Sequence, residues 1–420
     1  MHKVLIIGRG GREHALAWKF AESTKVYVAP GNKGMENVAT LVPIDENDFD
    51  ALTAFAKKED IALTVIGPEA PLVDGITDSF IEAGLQVWGP KANAAIIEGS
   101  KSFAKDLMKK YAIPTAAYEV FTDYESALSY IEAAPLPTVI KADGLAAGKG
   151  VIIAYTEAEK TEAKSALKEM MKNGKFGQSG QTVVIEEYLE GEEFSFIAFV
   201  AGDTVYPMAL AQDHKPVYDG DKGPNTGGMG AYSPVPQFGD DIINKSIDDI
   251  LIPITQAMIK EGRPFTGFLF AGLISTSQGP KVIEFNARLG DPETEVLLPR
   301  LENDLFEVIT NLLNGVPVDL RWCDDAMVGV VMASKGYPES YETGYPIYGL
   351  DTVKKDTLVF HCGTGYEDGQ FTNNGGRVLM IARKAKDIES AQKAVYAEIK
   401  KIKCDNLFYR TDIGNKYFNR

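Results

Sequence analysis

The sequence predicts a multidomain α/β protein, and three observations carry that expectation. The chain has 420 residues, where domains typically run to roughly 100–200. Its first quarter alternates short apolar runs with helical patterns, which argues for a parallel sheet with crossover helices. Further along, apolar runs come in pairs around tight turns, as antiparallel hairpins do.

Val4–Ile7 is a short apolar run that stops at Gly8. A helical pattern follows from Glu13 to Ala21, then a second strand at Val26–Ala29. Leu63–Ile66 and Leu85–Trp88 each end in Gly-Pro, with helical intervals between. Ser100–Tyr111 reads as a helix that Pro114 stops. Val139–Ala142 and Val151–Tyr155 are strands joined by the loop Asp143–Gly150. Glu157–Lys172 is helical and Val183–Glu187 a strand. Phe194–Val200 and Thr204–Ala211 form a hairpin around Gly202-Asp203. Gln212–Pro236 is rich in Gly, Pro, Asp and Asn and reads as one long functional loop. Phe268–Thr276 pairs with Lys281–Phe285, and Asp304–Asn314 is helical. Gly315-Val316-Pro317 marks a boundary. Strands at Ala326–Ala333 and Arg377–Arg383 and a helix at Asp387–Lys403 complete the chain.

Composition narrows the function. Hydrophobic residues make up 45% and charged residues 24%, as in soluble globular proteins. A formal charge of −16 argues against broad nucleic-acid binding or attachment to anionic lipid. Any phosphate must meet local cations, backbone N–H groups or a metal. Cys323, Cys362 and Cys404 are few, odd in number and without CxxC spacing, so neither a disulfide framework nor a zinc site is expected. A reducing cytoplasm is the simplest location. The N-terminus reads as a strand rather than a signal peptide. No stretch approaches the roughly 20 apolar residues of a membrane span. No protein partner is evident.

Four segments carry chemistry. Gly8-Arg9-Gly10-Gly11-Arg12-Glu13 joins the first strand to a helix, a place suited to phosphate. It is not a dinucleotide fingerprint. Glu13 occupies the third glycine position, and no acid ends the second strand. Lys141–Gly150 holds two lysines and three glycines between two strands. It lacks P-loop spacing, and a strand follows where a helix should. It suits a lid over ATP phosphates, with Lys141 neutralising charge and Gly144, Gly148, Lys149 and Gly150 cradling oxygens. Glu186–Glu193 packs five carboxylates into eight residues. That is either a solvated turn or a ribose and adenine reader. Glu284 and Asn286 share one strand face, offering two hard oxygens of the kind Mg²⁺ takes alongside water and phosphate. Arg288 continues on that side, and Gly290-Asp291-Pro292-Glu293 turns the chain. In the long loop, Asp213 could hold an ammonium and Lys215 adds charge. Asn225, Thr226, Gly227 and Gly228 form a nest for an anion.

Together these segments resemble the ATP-grasp superfamily. Within it, residues 10–15, 67–72, 99–101, 141–150, 212–215, 223–232, 290–293, 372–378 and 410–414 resemble the phosphoribosylamine–glycine ligase family along the whole chain. The resemblance implies an ATP-grasp architecture. Residues 1–100 would be a Rossmann-like substrate domain, 101–324 the ATP-grasp domain with a lid at about 115–190, and 325–420 a small α+β C-terminal domain. It implies that ATP, glycine and 5-phosphoribosylamine give glycinamide ribonucleotide, ADP and phosphate through glycyl phosphate, with Mg²⁺ or Mn²⁺. Lys105 and Lys141 would hold ATP phosphates, and Glu187, Leu189 and Glu193 the nucleoside. Glu284 and Asn286 would hold the metal, and Arg288 would stabilise the transferring phosphoryl group. Gly10, Gly11 and Glu69 would face the ribose phosphate. Asp213, Lys215, Asn225–Gly228 and Asp291 would shape the glycine and amine pocket.

The chain departs from the family pattern at Arg9, often Asn, and at Pro216, often basic. Phe268–Thr276 carries no acid, so the metal would lean on phosphates and water. The alternatives are another carboxylate–amine ligase of the superfamily, a nicotinamide oxidoreductase and an inactive nucleotide binder. Lys141, Glu284, Asn286 and Arg288 together disfavour the last, because a binder needs no phosphoryl-transfer arginine.

Overall fold

The computed structural model describes residues 1–145, 150–174 and 177–418. Strands β1 (Lys3–Gly8), β2 (Lys25–Pro30), β3 (Thr40–Leu41), β4 (Leu63–Ile66) and β5 (Val87–Trp88) form a sheet in the order β3-β2-β1-β4-β5. Every pairing is parallel. Strands buried on both faces read as near-continuous apolar runs, and β1 from Val4 to Ile7 and β4, with Thr64 its one polar residue, do so. The fifth strand is shorter than its apolar run, because only Val87 and Trp88 pair with β4. The strand order reverses between β1 and β4. In open α/β sheets ligands bind outside the carboxyl ends of strands at such a point. That places the Gly8–Gly11 and Gly67–Glu69 turns side by side.

Two antiparallel sheets follow. One runs Tyr118–Phe121, Val183–Glu187, Thr138–Ala142, Val151–Ala154. It packs with the helices Tyr124–Ala133 and Glu157–Met171 around its own core, which includes Ile131, Ile140, Leu167 and Ile185. This unit therefore holds together apart from the main core. The second runs Thr204–Pro207, Glu192–Ala201, Thr266–Thr276, Gly279–Asn286. Alternate residues of Glu192–Ala201 feed two large core clusters, Phe194 and Phe196 on one side and Ile197 and Phe199 on the other.

The Gln212–Pro236 region corrects the sequence reading of a single loop. It contains the strands Gln212–Asp213, Pro216–Tyr218, Lys222–Asn225 and Gly230–Ser233. The middle two form a hairpin. The outer two join the C-terminal sheet, in the order Gln212–Asp213, Gly230–Ser233, Ala326–Ser334, Arg377–Ala385, Leu358–His361. The glycines misled the pattern because one serves close strand packing. A Cβ on Gly230, at φ +155°, would lie 2.6 Å from the Gly329 carbonyl oxygen. Through these strands the C-terminal sheet reaches the middle of the molecule. Among the described residues, no helix is long and apolar enough to cross a membrane.

Candidate functional site

A cleft of about 470 Å³ opens at the strand-order reversal. Gly10, Arg12, Glu69, Glu98, Lys101, Asp213, Lys215, Glu284, Asn286, Arg288, Asp291, Glu293 and Arg377 all line it. A larger cleft, of about 540 Å³, is lined by residues such as Leu85, Lys91 and Leu313 and includes no carboxylate. The carboxylates and most of the cations line the former.

The Gly8–Gly11 turn is held from within. Glu13 accepts from the Gly10 N–H at 2.7 Å and pairs with Arg12 Nε at 2.6 Å. Its carboxylate also lies against Gly67, where an added Cβ would come within 2.0 Å of Oε1. Glu13 thus ties the two turns together in the space a dinucleotide fingerprint leaves to glycine. Arg9 is half-exposed and pairs with Asp45 and Glu46, so its charge is already answered by neighbours. Arg12, buried one turn on, brings a further cation to the cleft. Asp291 receives the Arg12 N–H at 3.4 Å and pairs with Arg377 at 2.9 Å.

Glu284 and Asn286 end the strand Gly279–Asn286 on one face. The register slips just before Glu284, which pairs with Gly272 while Val282 pairs with Leu273. A bulge of this kind re-aims the side chain that follows it. Glu284 takes no hydrogen bond or ion pair within 4 Å among the described residues. Burial pushes its carboxyl up, but Lys215, Lys141 and Lys101 outweigh it and hold the group below its usual range. Asn286 donates Nδ2 to Glu98 at 3.0 Å, which leaves Oδ1 as an acceptor. No group of three or more acidic, His or Cys residues that could hold a metal occurs among the described residues. One anionic and one neutral oxygen fit Mg²⁺ or Mn²⁺, which keep waters and phosphates in the remaining positions.

Glu98 organises this corner. It accepts from Asn286 Nδ2 and, at 2.7 Å, from the Ala287 N–H, and it pairs with Arg288 at 2.9 Å. Arg288 also pairs with Glu69 at 3.2 Å. Burial resists the ionisation of Glu69, yet Arg288 and Arg12 draw it down to about 2. Burial prevails at Glu98 and pushes it up to about 7.

A second cavity, of about 150 Å³, lies between the two antiparallel sheets. Val139, Lys141 and Ile153 line it from one sheet, and Ile274, Ile283 and Glu284 from the other. Glu186, Glu187, Leu189 and Glu193 lie along it. Buried Glu186 bridges Lys105 at 2.9 Å and Lys141 at 3.1 Å. Burial lowers Lys105 to about 8. Glu187 accepts from the Ala117 N–H at 2.9 Å. Gly144 is tethered through its carbonyl to Lys101 at 3.0 Å, and Gly150 lines the cleft at the strand-order reversal. Gly148 and Lys149 lie outside the described residues.

Lys215 pairs with Glu193 at 3.1 Å. Burial pulls it down, but Glu193, Asp213 and Glu284 raise it well above the ordinary lysine range. Burial raises Asp213. The nest expected over Asn225–Gly228 is corrected. The Thr226 N–H goes to the Lys215 carbonyl, Gly227 to the Tyr337 hydroxyl, Gly228 to Thr226 Oγ1 and Met229 to the His214 carbonyl. The segment closes on itself and sets the wall of the pocket rather than offering free donors. Asn225 and Thr226 border the inter-sheet cavity, and Thr226 and Gly227 the cleft at the strand-order reversal. Gly11 takes a place in the turn, with Glu295 Oε1 only 2.5 Å from where its Cβ would be.

Sequence reasoning passed over Arg12, Glu98, Lys101, Glu293, Tyr337 and Arg377 as site residues. Arg12 and Arg377 stand inside segments already notable, Gly-Gly-Arg-Glu and Asn-Gly-Gly-Arg. Lys101 and Glu293 close two more such segments, Gly-Ser-Lys and Gly-Asp-Pro-Glu, whereas Glu98 and Tyr337 stood in none and only the packing brings them in.

Comparison with known proteins agrees with this geometry. Family models described as phosphoribosylglycinamide synthetase match residues 2–98 (N domain), 99–294 (ATP-grasp domain) and 327–416 (C domain). A phosphoribosylamine–glycine ligase of Halalkalibacterium halodurans is 59% identical over 416 residues, 98% of this chain and 96% of the relative. That of Listeria innocua is 53% identical, over 98% of this chain and 99% of the relative. The crystal structure of the Thermotoga maritima enzyme of that name is 35% identical. It superposes with a TM-score of 0.84 over 98% of this chain and all of its own. A biotin carboxylase domain of Hydrogenobacter thermophilus shares the fold alone, at 17% identity and a TM-score of 0.69 over 97% of this chain and 91% of that one. The chain therefore belongs to the phosphoribosylglycinamide synthetase family, ATP-grasp ligases of purine biosynthesis.

Proposed function

We propose that the protein ligates glycine to 5-phosphoribosylamine, consuming ATP and giving glycinamide ribonucleotide, ADP and phosphate. The observation that carries this reading is the meeting of two cavities at one carboxylate. Glu284 and Lys215 line both the inter-sheet cavity and the cleft at the strand-order reversal. A nucleotide held between the sheets would present its γ-phosphate where a second anion can meet it.

The protein's task is to position two anions, screen their repulsion and exclude water. Lys105 and Lys141 lie where the ATP phosphates would pass, with Glu186 as their counter-charge until nucleotide arrives. Glu187, Leu189 and Glu193 would meet the adenosine. Glu284 and Asn286 would hold Mg²⁺ or Mn²⁺, and the bound ion would neutralise charge on the β- and γ-phosphates. Arg288 would meet the transferring phosphoryl group as glycine's carboxylate attacks it. The amine of phosphoribosylamine then attacks the glycyl phosphate carbonyl and releases phosphate. Gly10, Gly11 and Arg12 would face the ribose phosphate, with Glu69 beside them on the ribose side, and Asp213 would meet the glycine ammonium. Three unpaired cysteines support a cytoplasmic location.

The test is ADP release with ATP, Mg²⁺ and glycine, with and without phosphoribosylamine made in situ from ribose 5-phosphate and ammonia. ADP formation that requires both partners supports the reading. ADP formation independent of phosphoribosylamine refutes it.

A further inference from the structure

Glu293 has no part in the assignments above, yet it lies in the cleft, buried and held. It follows the Arg288–Pro292 turn and precedes the short helix Thr294–Leu297. Its Oε1 accepts from Ser195 Oγ at 2.8 Å. Ser195 is itself buried, on the strand Glu192–Ala201, with its backbone tied to Ala211 on both sides.

The second oxygen is the informative one. Oε2 lies over Gly290, where an added Cβ would come within 2.3 Å of it and 2.8 Å of Phe270. Glycine at 290 is what lets the carboxylate lie there. Oε2 accepts from no other residue among the described residues, and it is not among the sealed, unpartnered oxygens. Gly290, Phe270, Asp213, Glu284 and Arg288 line the same cleft.

We propose that Glu293 is the proton acceptor for the amine in the second half-reaction, with Ser195 as its positioning residue. The inference rests on the ligase reading. As the amine nitrogen bonds to the glycyl phosphate carbonyl carbon, the carbon–oxygen bond to phosphate breaks and phosphate leaves with the electron pair. The nitrogen must shed one proton, and Oε2 takes it and later passes it to solvent. The charged neighbours of Glu293 are Asp213 from the strand Gln212–Asp213, Lys215 just beyond that strand, Arg288 from its own turn and Glu295 from the short helix. Burial and Asp213 raise its pKa to about 7, so the acceptor form is populated near neutrality.

The test separates amine attack from carboxylate activation. Hydroxylamine is a weakly basic, strong nucleophile that traps acyl phosphates with little help from a base. Glu293→Gln is expected to lower kcat/KM for phosphoribosylamine about 100-fold. It is expected to leave glycine hydroxamate formation from hydroxylamine within about threefold. The acidic limb of the wild-type pH profile should vanish in that variant. Ser195→Ala, which removes a bond that favours the carboxylate, should fold normally and move that limb to higher pH. Equal losses in both reactions, or an acidic limb that persists in Glu293→Gln and stays in place in Ser195→Ala, would overturn the assignment. Wild-type ligation that holds while Glu293→Gln behaves like wild type refutes this role alone. Wild type that forms no product refutes the ligase reading itself.

Discussion

Glu98→Gln tests the metal corner without touching a metal ligand. The wild-type carboxylate uses Oε1 for Asn286 Nδ2 at 3.0 Å and Arg288 at 2.9 Å, and Oε2 for the Ala287 N–H at 2.7 Å. Glutamine keeps the shape but has one acceptor oxygen. In either orientation its NH₂ faces a donor, Asn286 and Arg288 in one case and Ala287 in the other. Relief is available by flipping the Asn286 amide, which would turn Nδ2 rather than Oδ1 to the metal. Loss of an outer partner of this kind costs roughly 10–100-fold in metal affinity, about 1.4–2.7 kcal/mol. The unsatisfied donor costs about 1–3 kcal/mol of stability. Mn²⁺ binding in the presence of ADP, followed by electron paramagnetic resonance, reads the first, and the Tm reads the second. A lower Tm with Mn²⁺ affinity within twofold of wild type would refute the reasoning, for Glu98 would then be structural and Asn286 no ligand.

Other outcomes follow from the same geometry. Glu284→Ala should abolish turnover while the far-UV circular dichroism stays unchanged, because the carboxylate makes no hydrogen bond to the protein; near-wild-type rates would remove it from the metal site. Gly11→Ala should cost about 1–3 kcal/mol in urea unfolding, since its Cβ would lie 2.5 Å from Glu295 Oε1 and 2.7 Å from Cys362 Sγ. Glu295→Ala should recover part of that loss. Burial lowers His14 to about 3 and His361 to about 4, with His361 also pressing on His14. The folded state therefore refuses protons that the unfolded chain accepts below about 6.5. Stability should fall by about 5 kcal/mol for the two groups between about pH 6.5 and 4.5. A His361→Gln variant should lose less over that range by thermal unfolding; an unchanged slope would contradict the assignment.

Local patterns reveal some parts of this molecule and conceal others. The parallel sheet was legible because doubly buried strands are continuous apolar runs between glycine turns. Glu284 and Asn286 were legible because strand periodicity alone puts i and i+2 on one face. The Gln212–Pro236 region was not, because its strands take their meaning from partners about a hundred residues away, Gly230 opposite Val330 among them. The anion nest failed for a related reason. Three N–H groups that looked free in sequence, those of Thr226, Gly227 and Gly228, are taken by Lys215, Tyr337 and Thr226. Glu98 was invisible, since a lone glutamate at a helix end gives no sign that it will hold three successive residues of a distant strand end.

The most direct test of the account follows an oxygen atom. Glycine labelled with ¹⁸O in both carboxylate oxygens is turned over with ATP, Mg²⁺ and phosphoribosylamine, and the inorganic phosphate is analysed by mass spectrometry. Attack of the glycine carboxylate on the γ-phosphate, followed by amine displacement, predicts one ¹⁸O in each phosphate and one retained in the product amide. Phosphate free of label, with product still formed, would contradict the acyl phosphate route and the site roles built on it.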